Sequence, residues 1–187
     1  VRYPTVLAPD GYVGAEVRIE CGAKSALDPH VSASVRPYVA EDLAGLDLTV
    51  SNVTTIQPTR TFWDKVVIVH GLRAWFDRRG ELRQEGQRIS RHYYDLHVLR
   101  GSGVGEEAIA DRPLGAECVR HAQMFFGRPD YNLGAAVPGT YRLAPTGSMV
   151  DALRRDYQAV VGMIIGAAPD FDAIVASVAA LESQLNR

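Results

Sequence analysis

The hydrophobic period of this chain changes at Pro58. Ahead of it, residues 15–21 alternate: Ala15, Val17, Ile19 and Cys21 form one apolar face and Glu16, Arg18 and Glu20 the other. That is the pattern of a half-buried strand, closed by Gly22. Leu46 to Val53 favours β structure and reads as a second strand, which Pro58 ends. Beyond Pro58 apolar residues recur three and four apart, as helices require. The period predicts helices over 61–75, 88–101, 106–126 with a break near Pro113, 148–164, and 171–185. Residues 1–14, 22–45, 77–87 and 127–147, punctuated by Gly, Pro or polar side chains, read as connections. In the last helix Phe171, Ile174, Val178, Leu181 and Leu185 make a seam for a neighbouring helix. Strands followed by helices predict an α+β fold: a strand-bearing part over 1–58 and a helical part over 59–187, within one compact domain.

Composition narrows the class. The 187 residues suffice for a real core. No apolar run approaches the roughly 18–20 residues of a membrane span, and no signal peptide opens the chain. Cys21 and Cys118 are isolated thiols without zinc-like spacing, which fits a reducing cytoplasm. The five histidines make no metal-ligand constellation. A net charge of −2 argues against a generally basic nucleic-acid coat. Locally the balance differs: Arg73, Arg78, Arg79, Arg83, Arg88 and Arg91 fall close together against only Asp77, Glu81 and Glu85. This stretch is either a solvated loop with helix ends or an attractor of nucleotide or RNA. Val1 opens directly into Tyr3-Pro4-Thr5 without a methionine, as the interior of a longer chain would.

Two short motifs about thirty residues apart concentrate the chemistry: Arg60-Thr61-Phe62-Trp63-Asp64-Lys65 and Ser90-Arg91-His92-Tyr93-Tyr94-Asp95-Leu96. Of the 20 basic side chains only Lys24 and Lys65 are lysines. A compact ammonium differs from a guanidinium wherever a phosphate chain is held. Thr61 and Asp64 have the spacing of a capping box, which would place Lys65 in the first turns of a helix. The helix dipole does not favour a cation there, so Lys65 either meets a local anion or faces solvent. Arg91 and Asp95, four apart, are either an ordinary ion pair worth a few tenths of a kcal/mol or part of a site. Glu20 is either a solvent-facing strand carboxylate or a functional one. Ser148 with Asp151 has capping-box spacing as well.

Together with Glu16-Val17-Arg18-Ile19-Glu20-Cys21-Gly22-Ala23, and in the same order, these motifs resemble the AbiEii/AbiGii-type nucleotidyltransferase toxins. The resemblance runs across most of the chain. It implies a partial nucleotidyltransferase sheet of the polymerase-β type with a C-terminal helical bundle. It also implies a bacterial toxin–antitoxin or phage-defence role, with transfer of nucleotides from an NTP to an RNA acceptor such as the tRNA 3′ end. Carried over residue by residue, Glu20 matches a metal-binding carboxylate and Lys65 the lysine that holds the triphosphate. Asp95 matches the acidic residue of the last motif, with Arg91 beside it at the nucleotide. Mg²⁺, a cognate antitoxin and a cytoplasmic location follow from the same resemblance. In-line transfer needs metal on carboxylates and a point charge on the phosphates, which agrees with those roles. The family's first motif, Gly-Ser followed by paired aspartates, is not found; Gly45-Leu46-Asp47-Leu48 is a faint echo in the wrong order. The chain is therefore expected to hold the back half of a site. The rival expectations are a non-catalytic module that binds antitoxin or nucleotide, and a half-site completed by another segment.

Overall fold

The computed structural model describes residues 2, 4, 16, 17, 19, 24–43, 45–83 and 88–187. Ahead of Pro58, β1 (His30–Val35) and β2 (Val50–Ile56) pair antiparallel, with His30 opposite Ile56 and Ala33 opposite Val53. Between them lies a 3₁₀ turn over Tyr38–Glu41. β1 lies within the stretch 22–45 expected to be connection, flanked by Asp28-Pro29 and Arg36-Pro37. Its own alternation of Val31, Ala33 and Val35 with Ser32 and Ser34 is nonetheless a strand pattern. β2 sits later than the expected 46–53, because Asp47 accepts a hydrogen bond from the Thr49 amide at 2.9 Å and holds a local turn. Among the described residues of the strand expected over 15–21, Glu16 forms an antiparallel bridge with Arg2. Val17 and Ile19, expected on a buried face, are exposed. Ala15, Arg18, Glu20 and Cys21 lie outside the described residues.

A two-stranded ribbon is marginal alone. Arg60 ties this one to the helices: its guanidinium donates to the Asp28 carbonyl at 3.0 Å while it is only 4% exposed. The Gln57 amide adds a bond to the Pro29 carbonyl at 3.0 Å.

Six α-helices follow among the described residues: α1 (Pro58–Arg79), α2 (Arg91–Gly101), α3 (Gly103–Ala110), α4 (Arg112–Phe126), α5 (Ser148–Val161) and α6 (Phe171–Leu185). Pro58 does more than end a strand. Its fixed φ starts α1 three residues before Thr61, so no Thr61/Asp64 capping box forms. α1 runs past the expected Trp75 and stops at Gly80, whose φ of 71° is the left-handed conformation of a helix end. The predicted break near Pro113 is real: α3 ends at Ala110, and the Asp111 carboxylate caps α4 by accepting from the Leu114 amide at 3.0 Å. α5 begins at Ser148 after Gly147, with no side-chain cap, so the Ser148/Asp151 box is also absent. The α6 seam is buried at all five positions.

α1 is the centre. Phe62, Trp63, Val66, Val67, Val69, His70 and Leu72 are buried round most of its circumference, because α2, α3 and α4 all pack on it. Trp63 donates its Nε1 proton to the Ala108 carbonyl of α3 at 2.9 Å, and α4 passes so close that only Gly115 fits beside the Trp63 ring. α6 packs on α2. A small antiparallel sheet joined to a helical bundle is an α+β fold.

Candidate functional site

The two motifs meet. Lys65 projects from α1 and Asp95 from α2, and Lys65 Nζ lies 2.6 Å from Asp95 Oδ2. Buried Val66 and Val69 on α1, with Tyr93 and Leu96 on α2, set the helices against each other. Lys65 is the eighth residue of α1, not a first-turn residue, so the helix dipole does not bear on it. The local anion is Asp95, thirty residues away in sequence.

This pair also decides the fate of the Arg91/Asp95 alternative. Asp95 is turned to Lys65, and among the described residues Arg91 is exposed and makes no ion pair with it. The Lys65 and Asp95 side chains are 21% and 34% exposed. A pair so placed is worth on the order of 1 kcal/mol or less, too little to be the main tie between helices that share an apolar seam. Its charges remain open to solvent on one side.

His92 completes the group. Its Nδ1 lies 3.3 Å from Lys65 Nζ. An ammonium has no lone pair, so Lys65 donates and the ring must be neutral, with its proton on Nε2. Burial first, then the Lys65 and Arg91 charges, hold the ring's pKa down to about 4. His92 is not among the candidate site residues of the sequence; its place between Arg91 and Asp95 in the second motif is the available signal.

Asp64, the other carboxylate of the first motif, accepts from Arg60 Nε at 3.3 Å. Asp64 and His92 both line a cavity of about 420 Å³. Val67, Leu72 and Leu133 form its apolar wall; Lys24, Arg83 and Tyr131 bring polar groups to it.

The basic stretch is mostly consumed. Arg73 pairs with Asp77 at 2.9 Å and also donates to the Ala144 carbonyl. Arg78 and Arg79 both pair with Asp130. Arg88 reaches the Ala159 carbonyl. Arg83 lies over the Tyr131 ring, 5.2 Å from its centroid.

Mg²⁺ requires a near-octahedral set of oxygens. Among the described residues no three His, Cys, Asp or Glu side chains converge on one point. Asp64 and Asp95 each already face a cation, Arg60 and Lys65. These residues do not make a divalent-metal site, and Glu20 lies outside the described residues. Cys118 is a buried thiol pushed up to about 12, chiefly by desolvation, and so is unreactive. Among the described residues no helix is long and apolar enough to cross a membrane.

Comparison with curated proteins and with solved structures gave no match. The comparison with protein families gave one that spans the ribbon, the Lys65–Asp95 pair and the start of α6: the nucleotidyl transferase AbiEii toxin of type IV toxin–antitoxin systems, matched over residues 1–177. With 177 of 187 residues matched in that order, the chain belongs to the AbiEii nucleotidyl transferase toxin family.

Proposed function

We propose that Lys65, Asp95 and Arg91 form the phosphate-holding side of a nucleotidyltransferase site. The toxin would transfer nucleotides from an NTP to an RNA acceptor, with the tRNA 3′ end as the acceptor of choice. The observation that carries this is the 2.6 Å contact between Lys65 and Asp95, which joins two motifs at a half-open face beside a cavity. In this reading Asp95 and neutral His92 hold the Lys65 ammonium extended and aimed. An arriving triphosphate meets a preset point charge, with Arg91 exposed one turn before Asp95 on α2. Glu20 is assigned a carboxylate of the same site, on the segment preceding the ribbon. The family uses divalent metal; its ligands are not assembled by the described residues. Residues 1–58 act as the remainder of the catalytic sheet and 59–187 as the helical part that holds the nucleotide. A cognate antitoxin is the expected protein partner, and the cytoplasm the expected location.

The second reading is a module that binds nucleotide or antitoxin without transfer. It is favoured by the occupation of Asp95 by Lys65, which leaves that carboxylate no free charge for a metal. One pair of measurements separates the two readings. NTP binding is followed with residues 1–187, and label transfer to bulk tRNA and growth arrest with the whole gene product. The first reading requires Lys65→Ala to lose both binding and transfer at equal expression. Undiminished growth arrest in Lys65→Ala would rule it out; binding without any transfer in the wild type would establish the second.

A further inference from the structure

The cavity beside His92 does not end at α1. A second one, of about 350 Å³, adjoins it and shares Lys24, Arg83, Phe126 and Tyr131 with it. The two make one groove. At one end is His92, in contact with Lys65; at the other are Phe125, Phe126 and Arg128, where α4 ends. The last turn of α4 puts large apolar side chains in solvent there: Met124 is 76% exposed, Phe126 51% and Phe125 38%. A helix of a globular bundle normally buries such residues, so this patch asks for an occupant.

The charges around it indicate which kind. Lys24, Arg83 and Arg128 line the outer cavity, and among the described residues no carboxylate pairs with any of them. The carboxylate that lines the inner cavity, Asp64, is held by Arg60. Asp130, next to Tyr131, is taken up by Arg78 and Arg79. An apolar protein partner would have to desolvate three cations that meet no carboxylate among the described residues, at a cost. A ligand with flat apolar faces strung on a polyanion satisfies both features: its rings cover the aromatic side chains and its phosphates meet the cations.

We propose that this groove seats an unpaired, single-stranded segment of RNA. Bases stack on Phe125 and Phe126, phosphates face Lys24, Arg83 and Arg128, and the strand leads toward His92 and Lys65. That the strand is RNA, and that its end is the acceptor, rests on the function proposed above; the stacking groove rests on α4 and its neighbours. A duplex hides its base faces and is not a ligand for it.

The probe is a fluorescent oligoadenylate of about eight nucleotides, within the span single-strand grooves cover, followed by anisotropy. Wild-type protein is expected to bind it, more weakly as salt rises, with a log–log slope of about −2 for three phosphate contacts. Phe126→Ala is expected to weaken binding about tenfold or more while the melting temperature holds, because the side chain is half exposed. Arg128→Gln is expected to reduce the salt slope by about 0.7. Lys65→Ala is expected to keep oligonucleotide binding and lose nucleotide transfer. If Lys65→Ala transfers label normally while Phe126→Ala loses the oligonucleotide, the active-site reading falls and the groove stands. If Phe126→Ala and Arg128→Gln bind like wild type, or a duplex competes as well as the single strand, the groove proposal is overturned. The same holds if wild type binds no oligonucleotide and Phe126→Ala instead releases a co-expressed antitoxin.

Discussion

Lys65 Nζ stands 3.3 Å from His92 Nδ1 and 2.6 Å from Asp95 Oδ2, so one ammonium is shared by a neutral ring and a carboxylate from the same turn of α2. The arrangement holds only while the ring is uncharged. A protonated His92 would have no acceptor for Lys65 and would place a second cation against it.

Acid stability should report this. The His92 pKa is lowered from 6.5 to about 4 in the folded state. Between those values the unfolded chain binds a proton that the folded one does not, so stability falls as pH drops from about 6.5 to about 4. His70 acts in the same direction. It is buried with Nε2–H toward the Asn132 carbonyl and Nδ1 accepting from the Arg142 amide, and desolvation lowers its pKa. The His92 share is on the order of 3 kcal/mol across the window. Urea melts at several pH values should show a shallower acid decline in His92→Gln than in wild type. An identical decline in the two proteins would show that the ring titrates normally.

Lys65 and Asp95 should be coupled in function and nearly uncoupled in stability. Asp95→Asn keeps the shape and removes the charge that orients Lys65. Transfer should fall by about 10²-fold or more, as when a preorganised charge is lost from a reacting site. The melting temperature should move little, since a half-exposed pair contributes about 1 kcal/mol or less. In a double-mutant cycle with Lys65→Ala, the second substitution should add little to the loss of transfer. Full additivity would mean that the residues act separately.

α2 depends on a residue far along the chain. Asp156 of α5 is buried, and its Oδ2 accepts from both the Ser90 amide, at 2.8 Å, and the Ser90 hydroxyl, at 2.7 Å, where α2 begins. Asp156→Ala leaves both donors buried without a partner, which costs about 2–3 kcal/mol. Ser90→Ala, which keeps the amide bond, should cost about 1 kcal/mol. Because Ser90 anchors the helix that carries His92 and Asp95, Asp156→Ala should reduce transfer as well as stability. Thermal melts and the label assay on the same preparations test both.

These relationships mark the limit of what the sequence shows. Period reads one element at a time, and it found the α6 seam, the α3–α4 break and the helical run after Pro58. It missed the start of α1, because Pro58 was read only as a stop signal when its fixed φ also initiates a helix. Motif spacing brought Lys65 and Asp95 into view. The four-residue rule then offered Asp95 the wrong partner, Arg91, since it sees only neighbours on the same helix. Asp156 as a cap for Ser90, and the groove built from Lys24, Arg83 and the end of α4, depend on tertiary placement and leave no local trace in the sequence.

The close approach of α4 to α1 gives a final test. An ideal Cβ on Gly115 would lie 2.9 Å from three ring atoms of Trp63. The ring has little room to yield, because Nε1 is bonded to the Ala108 carbonyl and Phe62 packs edge-on at 5.8 Å. Two effects oppose each other in Gly115→Ala. Alanine gains about 1 kcal/mol of helix propensity over glycine. Overpacking against a fixed aromatic ring costs typically 1–3 kcal/mol, and α4 can relieve it only by moving off α1. The clash should win, for a net loss of about 1–2 kcal/mol with a change in tryptophan emission. Gly103 in α3, where an added Cβ meets nothing within 4 Å, is the control. Gly103→Ala feels only the propensity and should be neutral or stabilising by up to about 1 kcal/mol. Urea melts in which Gly115→Ala matches Gly103→Ala would show that α4 is not packed against Trp63 as closely as described.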